Sequence, residues 1–139
     1  MNIKEIKNYL ELNGAVLFGS RAWGGFNEYS DYDYLLPLTK VNELKIIIQQ
    51  KTENENILLY DNDYYVSGYY IKEISVNGID EMKINVTVCK FKDYPAWLTA
   101  IEMMKKAQCS ILLKDERQML FETILSILKK TQICRNGQE

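Results

Sequence analysis

The stretch Ala15-Val16-Leu17-Phe18-Gly19-Ser20, followed after a spacer by Ser30-Asp31-Tyr32-Asp33-Tyr34-Leu35-Leu36-Pro37, decides how this chain is read. Ala15 to Phe18 is uninterruptedly apolar, the pattern of a strand buried on both faces. Ser20 is placed to cap a short helix over the residues that follow. Tyr32 to Leu36 predicts a second strand, which Pro37 ends because it has no N–H for the ladder. Side chains two apart on a strand point to the same face, so Asp31 and Asp33 project together, about 6–7 Å apart along the chain. Paired carboxylates repel and raise at least one pKa unless a cation lies between them, and a hard ion such as Mg²⁺ suits them. Gly19 allows close approach of an anion, the N–H groups of a helix start attract it, and Ser20 adds a hydroxyl donor. An anion site shortly before a carboxylate pair is an arrangement for holding a metal-bound triphosphate.

Working outward, residues 2 to 12 predict a short amphipathic helix with Ile3, Ile6 and Leu10 at helical spacing. Asn2 with Glu5 resembles a capping box, and Asn13-Gly14 stops the helix. On the other side Thr39 can cap a helix whose Val41, Leu44 and Ile48 share a face. From Ile57 to Phe91 the chain turns rich in Tyr, Val and Ile. Strands are predicted near 57–60, 64–75 and 82–90, the last two pairing across Asn77-Gly78, a strong hairpin signal. Asp93 then caps a helix with Pro95 in its first turn and a buried stripe of Trp97, Ile101 and Met104. A last helix is predicted from about Asp115 to Lys130, with Leu120, Ile124, Leu125, Ile127 and Leu128 on its apolar face. The order of elements predicts one α+β domain over residues 1–139 with a mixed sheet.

Composition narrows the chemistry. The chain has 139 residues, 47% of them hydrophobic, enough for a core without disulfide or metal staples. With 17 Lys and Arg against 19 Asp and Glu, the net charge of −2 argues against a nucleic-acid-coating protein. The absence of histidine excludes a Ser-His-Asp triad, a Cys-His pair and a His-ligated zinc. Cys89, Cys109 and Cys134 form no C-x-x-C pair and read as reduced thiols, so a cytoplasmic location is expected. The charged N-terminus is unlike a signal peptide, and no window reaches the ~18 apolar residues of a membrane span, so no membrane partner is expected.

The segment Gly19-Ser20 to Asp31-Tyr32-Asp33, set between Val16-Leu17-Phe18 and Leu35-Leu36, resembles the nucleotidyltransferases of the polymerase-beta superfamily, and within it the minimal, stand-alone type. The signature spans residues 15 to 36, and the helix and strand order fits over roughly the first 90. That resemblance implies a mixed sheet with helices packed on one face and a C-terminal helical pair. It implies that Asp31 and Asp33 are the catalytic and metal-binding residues, with Mg²⁺ or Mn²⁺ as cofactor. Gly19, Ser20 and Arg21 would bind the nucleotide, with Arg21 as a phosphate clamp beside the alternative of a solvated arginine. An NTP, ATP among the candidates, would donate its nucleoside monophosphate to a hydroxyl acceptor: a small molecule, an RNA end or a protein. The resemblance also brings a helical protein partner into view, and a homodimer is the alternative means of binding the acceptor.

The chain departs from the family pattern in one place. In Met82 to Cys89, Asn85 shares a face with Thr87 and Cys89 and stands where the family's third carboxylate is expected. An asparagine can ligate Mg²⁺ through its oxygen but brings no charge and is no base. Asp80, Glu81 and Glu73 lie near the same hairpin as substitutes. The alternative function is a catalytically impaired module of this fold that binds nucleotide or a protein partner. Ten tyrosines, clustered at 29–34 and 60–70, read first as sheet packing and second as a stacking platform. Tyr64-Tyr65 and Tyr69-Tyr70 each place one ring on either sheet face. Trp23 is read as an anchor of the short helix or a cover for a base, and Lys129, Lys130 and Arg135 as charges complementing a helix C-terminus.

Overall fold

A computed structural model describes residues 3–52, 58–77 and 83–136. Helix α1 (Ile3–Leu12) leads through Asn13-Gly14 into strand β1 (Val16–Phe18) and the one-turn helix α2 (Ser20–Trp23). Asn13 closes α1 by donating both its backbone N–H and its side-chain amide to the Tyr9 carbonyl. Strand β2 (Tyr32–Pro37) passes through a 3₁₀ turn (Leu38–Lys40) into helix α3 (Val41–Thr52). Strands β3 (Leu58–Val66), β4 (Tyr69–Asn77) and β5 (Lys83–Cys89) precede helices α4 (Tyr94–Lys106) and α5 (Lys114–Asn136).

The strands form one mixed sheet in the order β1-β2-β5-β4-β3. Only β2 and β5 are parallel, with Asp33 opposite Asn85; the other pairs are antiparallel. Alternation sorts the side chains into two faces. Tyr34, Leu36, Ile74, Val76, Ile84, Val86 and Val88 pack with Ile6 and Leu10 of α1 and Val41 and Leu44 of α3. On the opposite face Leu35, Tyr69, Ile71 and Cys89 meet Trp97, Ile101 and Met104 of α4 and Phe121 and Leu125 of α5. α1 and α3 therefore cover one face, and the expected C-terminal pair covers the other. At one end of that second face the apolar positions give way to Asp33, Glu73, Ser75 and Asn85, and there the candidate site lies.

Several expectations change. The segment 64–75 is not one strand: it turns back at Ser67-Gly68, where φ is +51° and +86°, and Val66 pairs with Tyr69. Two consecutive left-handed residues make the tight primed turn that matches strand twist. Asp61-Asn62-Asp63 does not break β3, because β3 is an edge of the sheet, where acids are tolerated. Their charges are matched by Lys45, 2.5 Å from Asp61, and Lys72, 3.3 Å from Asp63. Gly19, not Ser20, holds the N-cap position of α2, and Thr39 falls within the 3₁₀ turn. Asp93 precedes α4 as expected but makes no side-chain cap; its buried carboxylate turns toward Lys129, 3.9 Å away, whose ammonium also lies 4.7 Å over the Tyr69 ring. Lys129 is thus an internal tie and not a helix-end charge, and α5 continues past Lys130 to Asn136. On α5 Leu125 is buried as expected and Phe121 is buried beside it, while Ile127 is 58% exposed. Asn2, the Asn77-Gly78 connection beyond residue 77, Asp80 and Glu81 lie outside the described residues.

Gly68 makes the hairpin testable. An added Cβ would find space there, since its nearest neighbour is the Lys129 stem at 3.8 Å, so only the backbone conformation opposes a side chain. Gly68→Ala is expected to cost about 1–2 kcal/mol in urea denaturation, and an unchanged midpoint would refute the two-residue turn.

Candidate active site

The β1–β2 register sets Phe18 opposite Asp33, so Gly19 begins α2 directly beside the Asp33 carboxylate. Gly19 has φ +76°, and a Cβ added there would run into the Asp33 carboxyl group. Both the conformation and the space therefore require glycine. Asp31 lies just before β2, and the structure brings it to the same face as Asp33: the Asn85 side-chain N–H₂ donates to Asp31 Oδ2 at 3.3 Å and to Asp33 Oδ1 at 3.2 Å. The Ser75 hydroxyl donates to Asn85 Oδ1 at 2.9 Å and lies 3.4 Å from Glu73 Oε1. Tyr64 donates to the other Glu73 oxygen at 2.6 Å. A polar chain thus crosses four strands, from Asp33 on β2 through Asn85 and Ser75 to Glu73 and Tyr64.

Burial pushes the Asp33 carboxyl up to about 6; the Asn85 hydrogen bond opposes this, the Asp31 and Glu73 charges add to it, and Lys114 opposes it. Burial and the bond to Glu73 also push Tyr64 upward. The folded protein holds the Asp33 proton more tightly than the unfolded chain does, so stability attached to this group falls as pH rises from about 4 to about 6. Without divalent cations, the wild type is expected to lose about 1–2 kcal/mol relative to Asp33→Asn over that window. Urea denaturation in EDTA at pH 4.5 and 7.5 measures the difference; a constant gap between the two proteins would refute it.

Arg21 lies one residue from this turn, but its guanidinium is engaged elsewhere. It donates to the carbonyls of Ser30 (3.0 Å), Asn27 (3.2 Å) and Glu28 (3.3 Å) and stacks 4.0 Å from the Tyr32 ring. In this arrangement it fixes the loop that delivers Asp31. Trp23 is buried and touches Phe18 and Phe121, with centroids 6.2 and 5.0 Å away, so it anchors α2 in the core. Tyr64 and Tyr69 pack on this face, whereas Tyr65 and Tyr70 form an edge-on pair 5.9 Å apart on the other. A cleft of about 90 Å³ opens beside Asp33, walled by Phe18, Trp23, Tyr64, Trp97 and Phe121 and bordered by Gly19 and Gln118. By volume it holds a few waters.

Sequence reasoning passed over Ser75 and Lys114, and read Tyr64 only as sheet packing or a stacking ring. Ser75 and Glu73 alternate in phase with Asn85 only once the β4–β5 register is known, and nothing local marks Lys114. Among the described residues no group of three or more Cys, Asp and Glu side chains is gathered to hold a metal. The donor set is two carboxylates and one amide, a combination suited to Mg²⁺ completed by water and substrate oxygens. The Asn85 N–H₂, midway between two carboxylates, occupies the kind of position a small cation would take. The residues present fit such an ion.

The architecture is α+β with a five-stranded mixed sheet and a two-aspartate end on one face. No family model matches the chain, and no curated protein is similar enough to count as a relative. Among the described residues no helix is long and apolar enough to cross a membrane.

Proposed function

We propose that the fold is that of a nucleotidyltransferase and that the protein moves a nucleoside monophosphate from an NTP to a hydroxyl acceptor, with Mg²⁺ or Mn²⁺ as cofactor. One observation carries this reading: the glycine turn and both aspartates meet at one sheet end, so closely that Gly19 has no room for a Cβ beside Asp33. In the reaction the acceptor oxygen forms a bond to the α-phosphorus, the bridging bond to the β-phosphate breaks, pyrophosphate departs and the acceptor proton is lost to solvent. Asp31 and Asp33 would hold the ion, with Asn85 beside them. The ion, when bound, supplies positive charge to the oxygens of the polyphosphate and of the attacking group. Gly19 and Ser20 would receive phosphate oxygens on the N–H groups that a helix start leaves without an intrahelical partner. Arg21 contributes by holding the loop 27–30, and hence Asp31, in place.

A second reading, a module of the same fold that binds nucleotide or a protein partner without turnover, is favoured by Asn85, which brings no third negative charge. Thermal denaturation with Mg-NTP and incubation with labelled NTPs separate the two. The enzyme predicts a rise in melting temperature and labelled product, both lost in Asp31→Ala and Asp33→Ala. A rise without product in the wild type and in Asn85→Asp would select the module, and labelled product that survives both alanine substitutions would refute the site.

A further inference from the structure

We propose that the Asn85 side-chain amide turns over when a divalent cation binds, and that Ser75 is the positioning residue that receives the rotated amide. The proposal rests on the reading of Asp31 and Asp33 as cation ligands.

In the cation-free arrangement both Asn85 protons on the site side serve the aspartates, at 3.2 and 3.3 Å, and its oxygen faces away. An amide in that orientation competes with a cation, since it presents donors where the ion requires an acceptor. Rotation by half a turn about the last side-chain bond exchanges the two groups. Oδ1 then faces the aspartates and Nδ2 faces Ser75.

A part-buried amide can do this only if its new donor finds an acceptor. Ser75 Oγ, now 2.9 Å from the amide oxygen, is both donor and acceptor. After the exchange it accepts from Asn85 Nδ2, and its own proton turns to Glu73 Oε1, already 3.4 Å away. Glu73 is held there by Tyr64 at 2.6 Å. One Nδ2 proton and the Ser75 proton both have acceptors after the exchange, so the cation gains an oxygen ligand while the rotated amide stays tied to β4. An alanine or valine at 75 would strand the rotated N–H₂.

The alternative is a fixed amide that only relieves the repulsion between the aspartates. The two accounts predict opposite signs for one measurement. Mn²⁺ binding is followed by loss of the free-ion paramagnetic resonance signal, with Mg²⁺ as competitor, on the intact protein. Exchange predicts that Asn85→Ala weakens Mn²⁺ binding about 10-fold, as does Ser75→Ala, while Ser75→Thr restores it. A fixed amide predicts that Asn85→Ala binds as tightly as the wild type or more tightly, and that result overturns the proposal. Should Asn85→Ala not fold, the Ser75→Ala and Ser75→Thr pair decides: equal affinities overturn it. In the wild type, the Asn85 amide protons are expected to lie near Asp33 Hβ in EDTA and near Ser75 Hβ with Mg²⁺. An unchanged set of nuclear Overhauser contacts overturns it also. If the wild type binds no Mn²⁺ at all, the cation site itself falls, a result distinct from binding without exchange.

Discussion

Asp33→Asn is expected to reduce nucleotide transfer at least 100-fold and, in the same protein, to raise stability. The first effect follows from position: Asp33 is the carboxylate pressed against Gly19 and bonded to Asn85, and removing one charge aimed at the reacting centre commonly costs about 10²–10³ in rate. The second follows from burial. Asp33 is held up to about 6 chiefly by desolvation, so at pH 7.5 the folded state carries a charge it is built to disfavour. A neutral amide of the same shape removes that cost and one like charge beside Asp31. The variant should melt about 3–8 °C higher in EDTA at pH 7.5, and show no further rise with Mg-NTP. A site arranged for function commonly trades stability for activity. Loss of activity together with lower stability would mean that Asp33 is simply part of the fold.

Trp97→Ala is the second large effect, expected at about 3–5 kcal/mol. Trp97 is 2% exposed and lies edge-on to Phe18, Tyr69 and Phe121, with centroids 6.2, 6.0 and 5.6 Å away. It joins the two C-terminal helices to the sheet and walls the cleft beside Asp33. A domain of this size has about 5–15 kcal/mol in total, so the variant should unfold in much lower urea. Its buried indole N–H has no partner among the described residues. Trp97→Phe removes that orphaned donor while keeping most of the ring, and should cost less than half as much. A loss below about 1 kcal/mol for the alanine variant would contradict this packing.

Where the sequence signals were periodic, the fold was legible. The strand through Leu35 and Leu36 and the Trp97, Ile101, Met104 stripe fall where pattern puts them; the apolar run before Gly19 is a strand as expected, but at a sheet edge and half-buried, not buried on both faces. The hairpin at Ser67-Gly68 was hidden, because its flanks are continuous in Tyr, Val and Ile while the acids at 61–63 imitate a turn. An edge strand removes that contradiction, but which strands are edges is a property of the whole sheet. The aspartate pair and Asn85 were visible from spacing and alternation. The fate of Arg21 was not: the loop carbonyls that capture its guanidinium are adjacent only after the chain has folded around Asn27. Ser75 and Glu73 are ordinary strand residues until the register sets one opposite Asn85 and the other a step along the same face.

The central claim is that the bond broken lies between the α- and β-phosphates of an NTP. Incubation with Mg²⁺ or Mn²⁺, candidate hydroxyl acceptors and either α-labelled or γ-labelled NTP tests it directly. The account predicts product carrying the α-label alone, pyrophosphate bearing the γ-label, and no product with EDTA or with Asp33→Asn. Product carrying the γ-label, or α-labelled product formed equally well by Asp33→Asn, would contradict it.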